Sequence, residues 1–320
     1  MLDIWFYEAF EEEAETLRRR LGPQYRCAFS KGTIQEDGHT EPPARLISIR
    51  TQSVVPPAWA GRAGAVLSRS TGYDHLITFR AHAAQSIPCG FLEEYATNAV
   101  AEQALLLTLS LLRRLPRQVR QMPQFNRDGL TGRECAGCRL LVVGVGRIGG
   151  RIVELGRAVG MEVKGVDLAP KRADLEYLAP AAGMAWADVI VAAMNLTGEN
   201  RGYFDYERLR QAKPGCLFVN IARGELSPPD GLIRLLEDGV LGGVGLDVYD
   251  HEDELGMALR GGDRTGPAAR AVEKLQSFPN VVLTPHNAFN TREALERKSQ
   301  MSVDQIDAFF ATGKFLWQLE

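Results

Sequence analysis

The chain has 320 residues, enough to bury two cores of ordinary size, and its 45 % hydrophobic and 24 % charged content is a globular balance rather than a disordered one. A formal net charge of −3 and a pI near 6.0 supply no basic stripe for nucleic acid. Met1-Leu2-Asp3-Ile4-Trp5 leads into Glu11-Glu12-Glu13 without the basic start and apolar centre of a secretory signal, and the longest apolar helical stretch, Ala104–Leu112, is too short to span a bilayer. The expectation is a cytoplasmic protein that contacts neither nucleic acid nor membrane.

In chain order, Leu2–Tyr7 reads as a strand and Glu8–Leu21 as a helix with a charged face, stopped by Gly22-Pro23. Strands are expected at Tyr25–Phe29, Leu46–Ile49 and Ala65–Ser68, separated by turn clusters such as Asp37-Gly38-His39 and Pro42-Pro43. That alternation suggests a small α/β domain. A long helical pattern from Asn98 to Leu115, capped by Asn98 and stopped by Pro116, leads into a second domain. Cys135-Ala136-Gly137-Cys138 is the one C-x-x-C; no second ligand pair has metal spacing, so no metal is expected. These cysteines read as coincidental, with a redox-sensitive pair as the alternative, and five cysteines in all point to a reducing compartment.

The apolar run Leu140-Leu141-Val142-Val143 enters Gly144-Val145-Gly146-Arg147-Ile148-Gly149 and then a helical pattern that Gly160 stops. A dinucleotide pyrophosphate needs that order. The first glycine permits a tight turn, the second lets backbone approach the phosphates, the third lets helix pack on strand, and the helix amino end favours the anion. About 20 residues on, after Val163-Lys164-Gly165-Val166, stands Asp167, an acid placed to hold the adenosine ribose hydroxyls and to repel a 2′-phosphate. Lys171-Arg172 nearby softens that repulsion. The cofactor reading is NAD.

Three charged groups follow further short apolar runs: Arg223 after Leu217–Ala222, Glu252 after Val244–Val248, and His286 after Val281–Pro285. Parallel strands place their carboxyl ends along one edge, so residues far apart in sequence can meet in one cleft. Imidazole titrates near neutral pH, a carboxylate beside it favours imidazolium, and a guanidinium offers a planar fork to a carboxylate while polarising a carbonyl. Such a trio suits proton transfer coupled to recognition of an anion. Taken singly, each has a plainer reading: a satisfied histidine, a surface ion pair, a solvated acidic run. His39, His75, His82 and His251 rank below His286. Asp247, at a strand end, reads as structural and cofactor-facing, and Tyr95 and Phe289 as either core or pocket.

At these residues the chain resembles a known family. Gly144–Gly149, Asn220-Ile221-Ala222-Arg223-Gly224, Asp247-Val248-Tyr249-Asp250-His251-Glu252 and Thr284-Pro285-His286-Asn287-Ala288-Phe289 are similar to the four ordered signatures of the D-isomer-specific 2-hydroxyacid dehydrogenases. Arg69–Asp74 and Tyr95–Glu102 extend the resemblance into the amino-terminal half. It implies an α/β fold of two Rossmann-like domains with parallel sheets, the cofactor domain (residues 101–286) inserted into a discontinuous substrate domain (residues 1–100 and 287–320), and a terminal helix at Glu293–Thr312 packing on the first domain. It implies His286, Arg223 and Glu252 as catalytic residues, and cofactor contacts at Gly144, Gly146, Arg147, Ile148, Gly149, Asp167, Ala222 and Asp247. Substrate would meet Thr71, Gly72, Tyr95 and Phe289. The activity implied is NAD-dependent interconversion of a small, pyruvate-like 2-keto acid and its D-2-hydroxy acid by a homodimer, the lactate branch matching best.

Glyoxylate or hydroxypyruvate reduction is an enzyme alternative, and an NAD-sensing regulatory protein is the rival from another class; such relatives usually carry interaction tails, and this sequence ends at Glu320. Two stretches depart from the expected pattern. The connection Leu175–Trp186 looks compressed and runs on to Ala192–Thr197 without the usual histidine or Leu-Pro pair. Residues 252–279 look irregular, with an exposed loop at Gly261–Pro267 read as decoration rather than a lid.

Overall fold

The computed structural model describes residues 2–320, and the chain divides into two compact units, Met1–Ala96 with Asn290–Glu320, and Thr97–Phe289. The first unit holds β1 (Leu2–Phe6), β2 (Cys27–Phe29), β3 (Ala44–Ile49), β4 (Ala65–Ser68) and β5 (Cys89–Gly90) in the order β2-β1-β3-β4-β5, every pair parallel. Side chains alternate between sheet faces. Ile4, Phe6, Leu46, Ala65 and Leu67 therefore pack under the helices Glu11–Leu21 and Arg292–Thr312, while Tyr7, Ile47, Ile49 and Val66 pack with Trp59, Leu76 and Phe79 on the other side.

The first helix starts at Glu11 rather than Glu8, and the reason is specific. Glu8 adopts a left-handed backbone (φ 53°), and its buried carboxylate accepts the N–H groups of Arg50, Gln52 and Ser53 at 3.0, 3.0 and 3.1 Å. The helix proper then carries Glu11–Glu13 in its first turn and Arg18–Arg20 in its last, complementing its dipole, and ends at Gly22 with φ 58°.

The second unit holds β6 (Arg139–Val143), β7 (Glu162–Val166), β8 (Val189–Ala192), β9 (Cys216–Asn220), β10 (Leu241–Leu246) and β11 (Val281–Leu283), all parallel, in the order β11-β10-β9-β8-β6-β7. The order reverses between β6 and β8, and such a switch point opens a crevice at the strands' carboxyl ends. Leu141, Ile190, Phe204, Phe218, Leu232 and Val244 fill the core beneath, each no more than 0 % exposed. Truncating Phe218 to alanine there costs about 3–5 kcal/mol.

Several proline and glycine signals act as punctuation between helices rather than as ends of regular structure. Pro116 does not stop the long helix, which runs Thr97–Leu112; Arg114 takes the left-handed turn (φ 52°) and Pro116 opens the next helix, Leu115–Gln121. Pro180 begins a helix, Pro180–Trp186, within the stretch that looked compressed. Residues 252–279 form two helices, Glu252–Arg260 and Pro267–Ser277, with Gly262 at φ 76° between them. Among the described residues, no helix is long and apolar enough to cross a membrane.

Candidate active site

The turn after β6 requires three glycines for three different reasons. Gly144 has φ 91°, and a Cβ there would lie 2.5 Å from Met194 Cα, so the turn and the backbone after β8 meet only through hydrogen. A Cβ on Gly149 would come within 1.9 Å of the Gly144 carbonyl, which fixes how closely the helix Arg147–Ala158 starts on the turn. At Gly146, the N-cap of that helix, a Cβ would meet no protein atom within 4 Å. Protein packing therefore does not explain this glycine, whereas close approach of a pyrophosphate to the helix amino end does. Gly146 and Arg147 are exposed there, and Ile148 is half-buried.

Asp167, just past β7, accepts the N–H of Val145 at 2.6 Å and of Ala169 at 2.8 Å. It fastens the glycine turn to the neighbouring strand end, and a carboxylate has further lone pairs for ribose hydroxyls. These residues fit a dinucleotide.

On the other half of the sheet, β9, β10 and β11 are adjacent and carry Arg223, Glu252 and His286 past their carboxyl ends. Neighbouring strands lie roughly 4.8 Å apart, so the three segments are held side by side. Arg223 is presented by a turn built on Asn220, which is 0 % exposed. Its amide donates to Arg223 O and Ser227 Oγ, both at 2.8 Å, and its carbonyl accepts the N–H of Ala222 at 2.9 Å. Gly224 lets this turn lie against the next one, because a Cβ there would fall 1.7 Å from the Tyr249 carbonyl carbon. Ala222 and Arg223 are both half-buried, and an Arg223 guanidinium nitrogen donates to Ala222 O at 2.8 Å.

His286 has a left-handed backbone (φ 49°), unusual for a residue with a Cβ. Asp247, 1 % exposed at the end of β10, holds it there by accepting Thr284 Oγ1 at 2.5 Å, Asn287 N–H at 2.9 Å and Ala288 N–H at 2.8 Å. Burial pushes the Asp247 carboxyl above its ordinary range, against the opposing pull of His286 and these donors. Tyr249 OH donates to Thr284 O at 2.8 Å and secures the same turn. The imidazole then meets Glu252: His286 Nδ1 and Glu252 Oε1 are 2.6 Å apart, with both side chains 19 % exposed. Engagement of Nδ1 by the carboxylate leaves Nε2 as the nitrogen that can exchange a proton with a substrate.

The family described as D-isomer specific 2-hydroxyacid dehydrogenase, NAD binding domain, matches residues 105–288. The chain belongs to the D-isomer-specific 2-hydroxyacid dehydrogenases. It is 31 % identical over 225 residues to an aromatic 2-oxoacid reductase of Clostridium sporogenes, covering 68 % of this chain and 67 % of that one. It is likewise 31 % identical over 218 residues to the D-lactate dehydrogenase of Escherichia coli, covering 66 % of each. Among solved structures, D-lactate dehydrogenase from Aquifex aeolicus complexed with NAD and lactic acid matches with a TM-score of 0.85 and 26 % identity, over 98 % of this chain and 99 % of that one. The dehydrogenase is thus an NAD-dependent enzyme with two Rossmann-like parallel sheets.

In the first unit, Thr71 and Gly72 follow the carboxyl end of β4, and the Thr71 hydroxyl donates to Glu93 O at 2.6 Å. Tyr95 is 5 % exposed, and its carbonyl accepts Arg297 Nε at 2.9 Å. Phe289 belongs to the second unit and is 6 % exposed. Sequence reasoning missed Asn220 and Tyr249 as builders of the site turns, although both lie inside the quoted signatures. The dehydrogenase holds all five cysteines as free thiols; burial raises both Cys135 and Cys138, and Cys138 Sγ donates to Glu134 O at 3.0 Å. Among the described residues no group of three or more His, Cys, Asp or Glu could hold a metal.

Proposed function

We propose that the dehydrogenase interconverts a small, pyruvate-like 2-keto acid and its D-2-hydroxy acid, with His286, Glu252 and Arg223 as its catalytic residues. The observation that carries this reading is the 2.6 Å pairing of His286 Nδ1 with Glu252 beside the strand end that bears Arg223. NADH, when bound, supplies the hydride. Arg223 binds the substrate carboxylate through its planar fork and polarises the carbonyl. His286 donates its Nε2 proton to the developing alkoxide, and Glu252 stabilises the imidazolium that holds this proton beforehand. The Thr71 and Gly72 amides complete the carboxylate site, and Tyr95 and Phe289 line the side-chain pocket. Ala222 and Asp247 face the cofactor with Gly144, Gly146, Arg147, Ile148, Gly149 and Asp167.

The substrate domain is assigned to residues 1–100 and 287–320 and the cofactor domain to 101–286, in a cytoplasmic homodimer. What supports the dimer is an apolar surface in the second unit: Leu115, Val119, Met122 and Phe125 are 44 %, 65 %, 64 % and 67 % exposed. Beside it lies a groove of about 360 Å³ lined by Leu115, Pro116, Val119, Val281 and Val282 together with Ser110 and Arg120. Light scattering should give twice the 35.2 kDa chain mass.

NADH oxidation with a panel of pyruvate, phenylpyruvate, glyoxylate and hydroxypyruvate tests the activity. The highest kcat/KM is expected for pyruvate. The bulky phenylpyruvate is included because the Clostridium relative is named as an aromatic 2-oxoacid reductase. Absence of turnover with every member, alongside measurable NADH binding, would favour a regulatory protein on the same fold.

A further inference from the structure

We infer that His75, Ser68 and Ser70 form a hydrogen-bond relay that positions the Thr71-Gly72 turn for the substrate carboxylate. This rests on the assignment of that turn as the carboxylate site. His75 Nε2 lies 2.8 Å from Ser68 Oγ, Ser68 Oγ lies 2.7 Å from Ser70 Oγ, and Ser70 Oγ donates to Gly72 O at 2.7 Å. Ser68 is 0 % exposed and Ser70 6 %, so solvent does not compete for these groups.

The direction of the relay follows from its last member. A carbonyl oxygen only accepts, so Ser70 must give its proton to Gly72 O. Ser68 must then give its own proton to Ser70 Oγ, and His75 must donate from Nε2 to Ser68 Oγ. Each hydroxyl has one proton, so no other arrangement makes all three bonds. His75, on the first turn of the helix Asp74–His82, thereby sets the orientation of a peptide group three residues before it.

The consequence concerns the two amides. In a trans peptide the C=O and the following N–H point in opposite directions. Leu92 N–H donates to Ser70 O at 3.0 Å, which orients the Ser70–Thr71 peptide and with it the Thr71 N–H. The relay orients the Gly72–Tyr73 peptide through Gly72 O. The peptide between them carries the Gly72 N–H and is held from both sides. On the opposite side of the segment, Arg69 anchors the chain through Glu13, Ser48 Oγ and Tyr7 O at 2.9, 2.9 and 2.7 Å. Alternate residues thus face alternate clamps. Without the relay the Thr71 amide stays aimed while the Gly72 amide loses its fixed direction, so one of two carboxylate donors is weakened.

Steady-state kinetics of the full-length enzyme with NADH and its best keto acid tests this. Ser70→Ala should raise KM for the keto acid about tenfold, in line with loss of a hydrogen bond to a charged group, while kcat and the KM for NADH change less than about twofold. His75→Leu should do the same. His75→Gln, whose amide nitrogen can reach the position of Nε2 and donate, should restore KM to within about twofold of wild type. Unchanged keto-acid KM in both Ser70→Ala and His75→Leu overturns the relay, as does a His75→Gln enzyme no better than His75→Leu. Should His75→Leu fail to fold, an unchanged keto-acid KM in Ser70→Ala overturns the relay by itself. A wild-type enzyme that turns over no keto acid would instead remove the carboxylate assignment itself.

Discussion

Asp247 accepts the backbone N–H of Asn287 at 2.9 Å, the residue immediately after His286, and so a buried acid on one strand end fixes the backbone of an imidazole on the next. Three donors converge on that carboxylate, and a left-handed backbone at a residue with a Cβ stores of order 1–3 kcal/mol. Asp247→Asn presents an NH2 group to donors that need an acceptor. We expect a stability loss of about 1–3 kcal/mol and at least a tenfold fall in kcat, as His286 relaxes from its position. Chemical denaturation and keto-acid kinetics on the same preparation check both; a mutant that is destabilised yet fully active would separate Asp247 from the geometry of His286.

Arg223→Lys keeps the charge and loses the planar fork. The expected loss is about 3 kcal/mol of transition-state stabilisation, read as a fall in kcat/KM of roughly two orders of magnitude, with NADH affinity little changed. Near wild-type kcat/KM for every accepted keto acid would take Arg223 out of the mechanism.

The 2.6 Å contact between His286 and Glu252 predicts a pH signature. With Glu252→Gln the imidazolium loses the carboxylate paired with its Nδ1, so the alkaline limb of keto-acid reduction should move toward acid. Oxidation of the hydroxy acid requires neutral imidazole, so its acidic limb should move the same way, and the mutant should be relatively better in that direction at low pH. His286→Ala should depress both directions at every pH. Profiles of Glu252→Gln superposable on wild type would reduce Glu252 to a bystander.

Asp167 should set cofactor choice, favouring NADH over NADPH by repelling a 2′-phosphate. It also accepts the Val145 N–H in the glycine turn at 2.6 Å, so Asp167→Ser should weaken NADH binding as well as relax discrimination. A parent enzyme with higher kcat/KM for NADPH than for NADH would show the assignment to be mistaken.

The first unit carries a buried charge cluster with its own pH dependence. Glu13 Oε1 lies 2.9 Å from Arg69 Nε and 2.6 Å from Lys298 Nζ, all three side chains being no more than 1 % exposed. Burial alone would raise the Glu13 carboxyl, but the charges of Arg69 and Lys298 override it and bring it down to about 2. A depressed carboxyl contributes stability above its unfolded value, near 4.5, and that contribution disappears as pH falls toward about 2. Glu13→Gln should therefore cost about 3–5 kcal/mol at neutral pH, with the gap to wild type narrowing between pH 4.5 and 2. One carboxylate serves two cations, and burial pushes Lys298 down to about 7. Because that value lies below the unfolded one, wild-type stability from this group should rise between pH 7 and 10.5, and Lys298→Met should be neutral or stabilising at pH 7. Thermal melts across pH check both; a strongly destabilised Lys298→Met protein would mean that Lys298 is needed as the partner of Glu13.

Local signals carried much of this molecule. Ala65–Ser68 reads as a strand from four apolar or small residues between turn signals, and it is β4. The glycine turn is legible because each glycine answers a short-range geometric need. The helices of residues 252–279 were not, since Gly261-Gly262 and Pro267 read as loop when they end one helix and begin the next. Long-range partnerships were also hidden. Nothing local in Glu13 indicates that it will meet Arg69, 56 positions on, or Lys298 on the last long helix. His75 looked like the tail of the Gly72 motif because Ser68, seven residues back on a strand, gives no sign of pointing toward it.

The contact between Gly224 and the carbonyl carbon of Tyr249 has a practical bearing on redesign. The loop that presents Arg223 and the loop that leads to Glu252 are nested backbone to backbone, so neither can be lengthened, re-angled or exchanged with a relative's loop while the other stays as it is. A library that varies them separately should consist mostly of misfolded members. Efforts to redesign this half of the sheet should draw their diversity from side chains and graft the two loops, when needed, as a single piece.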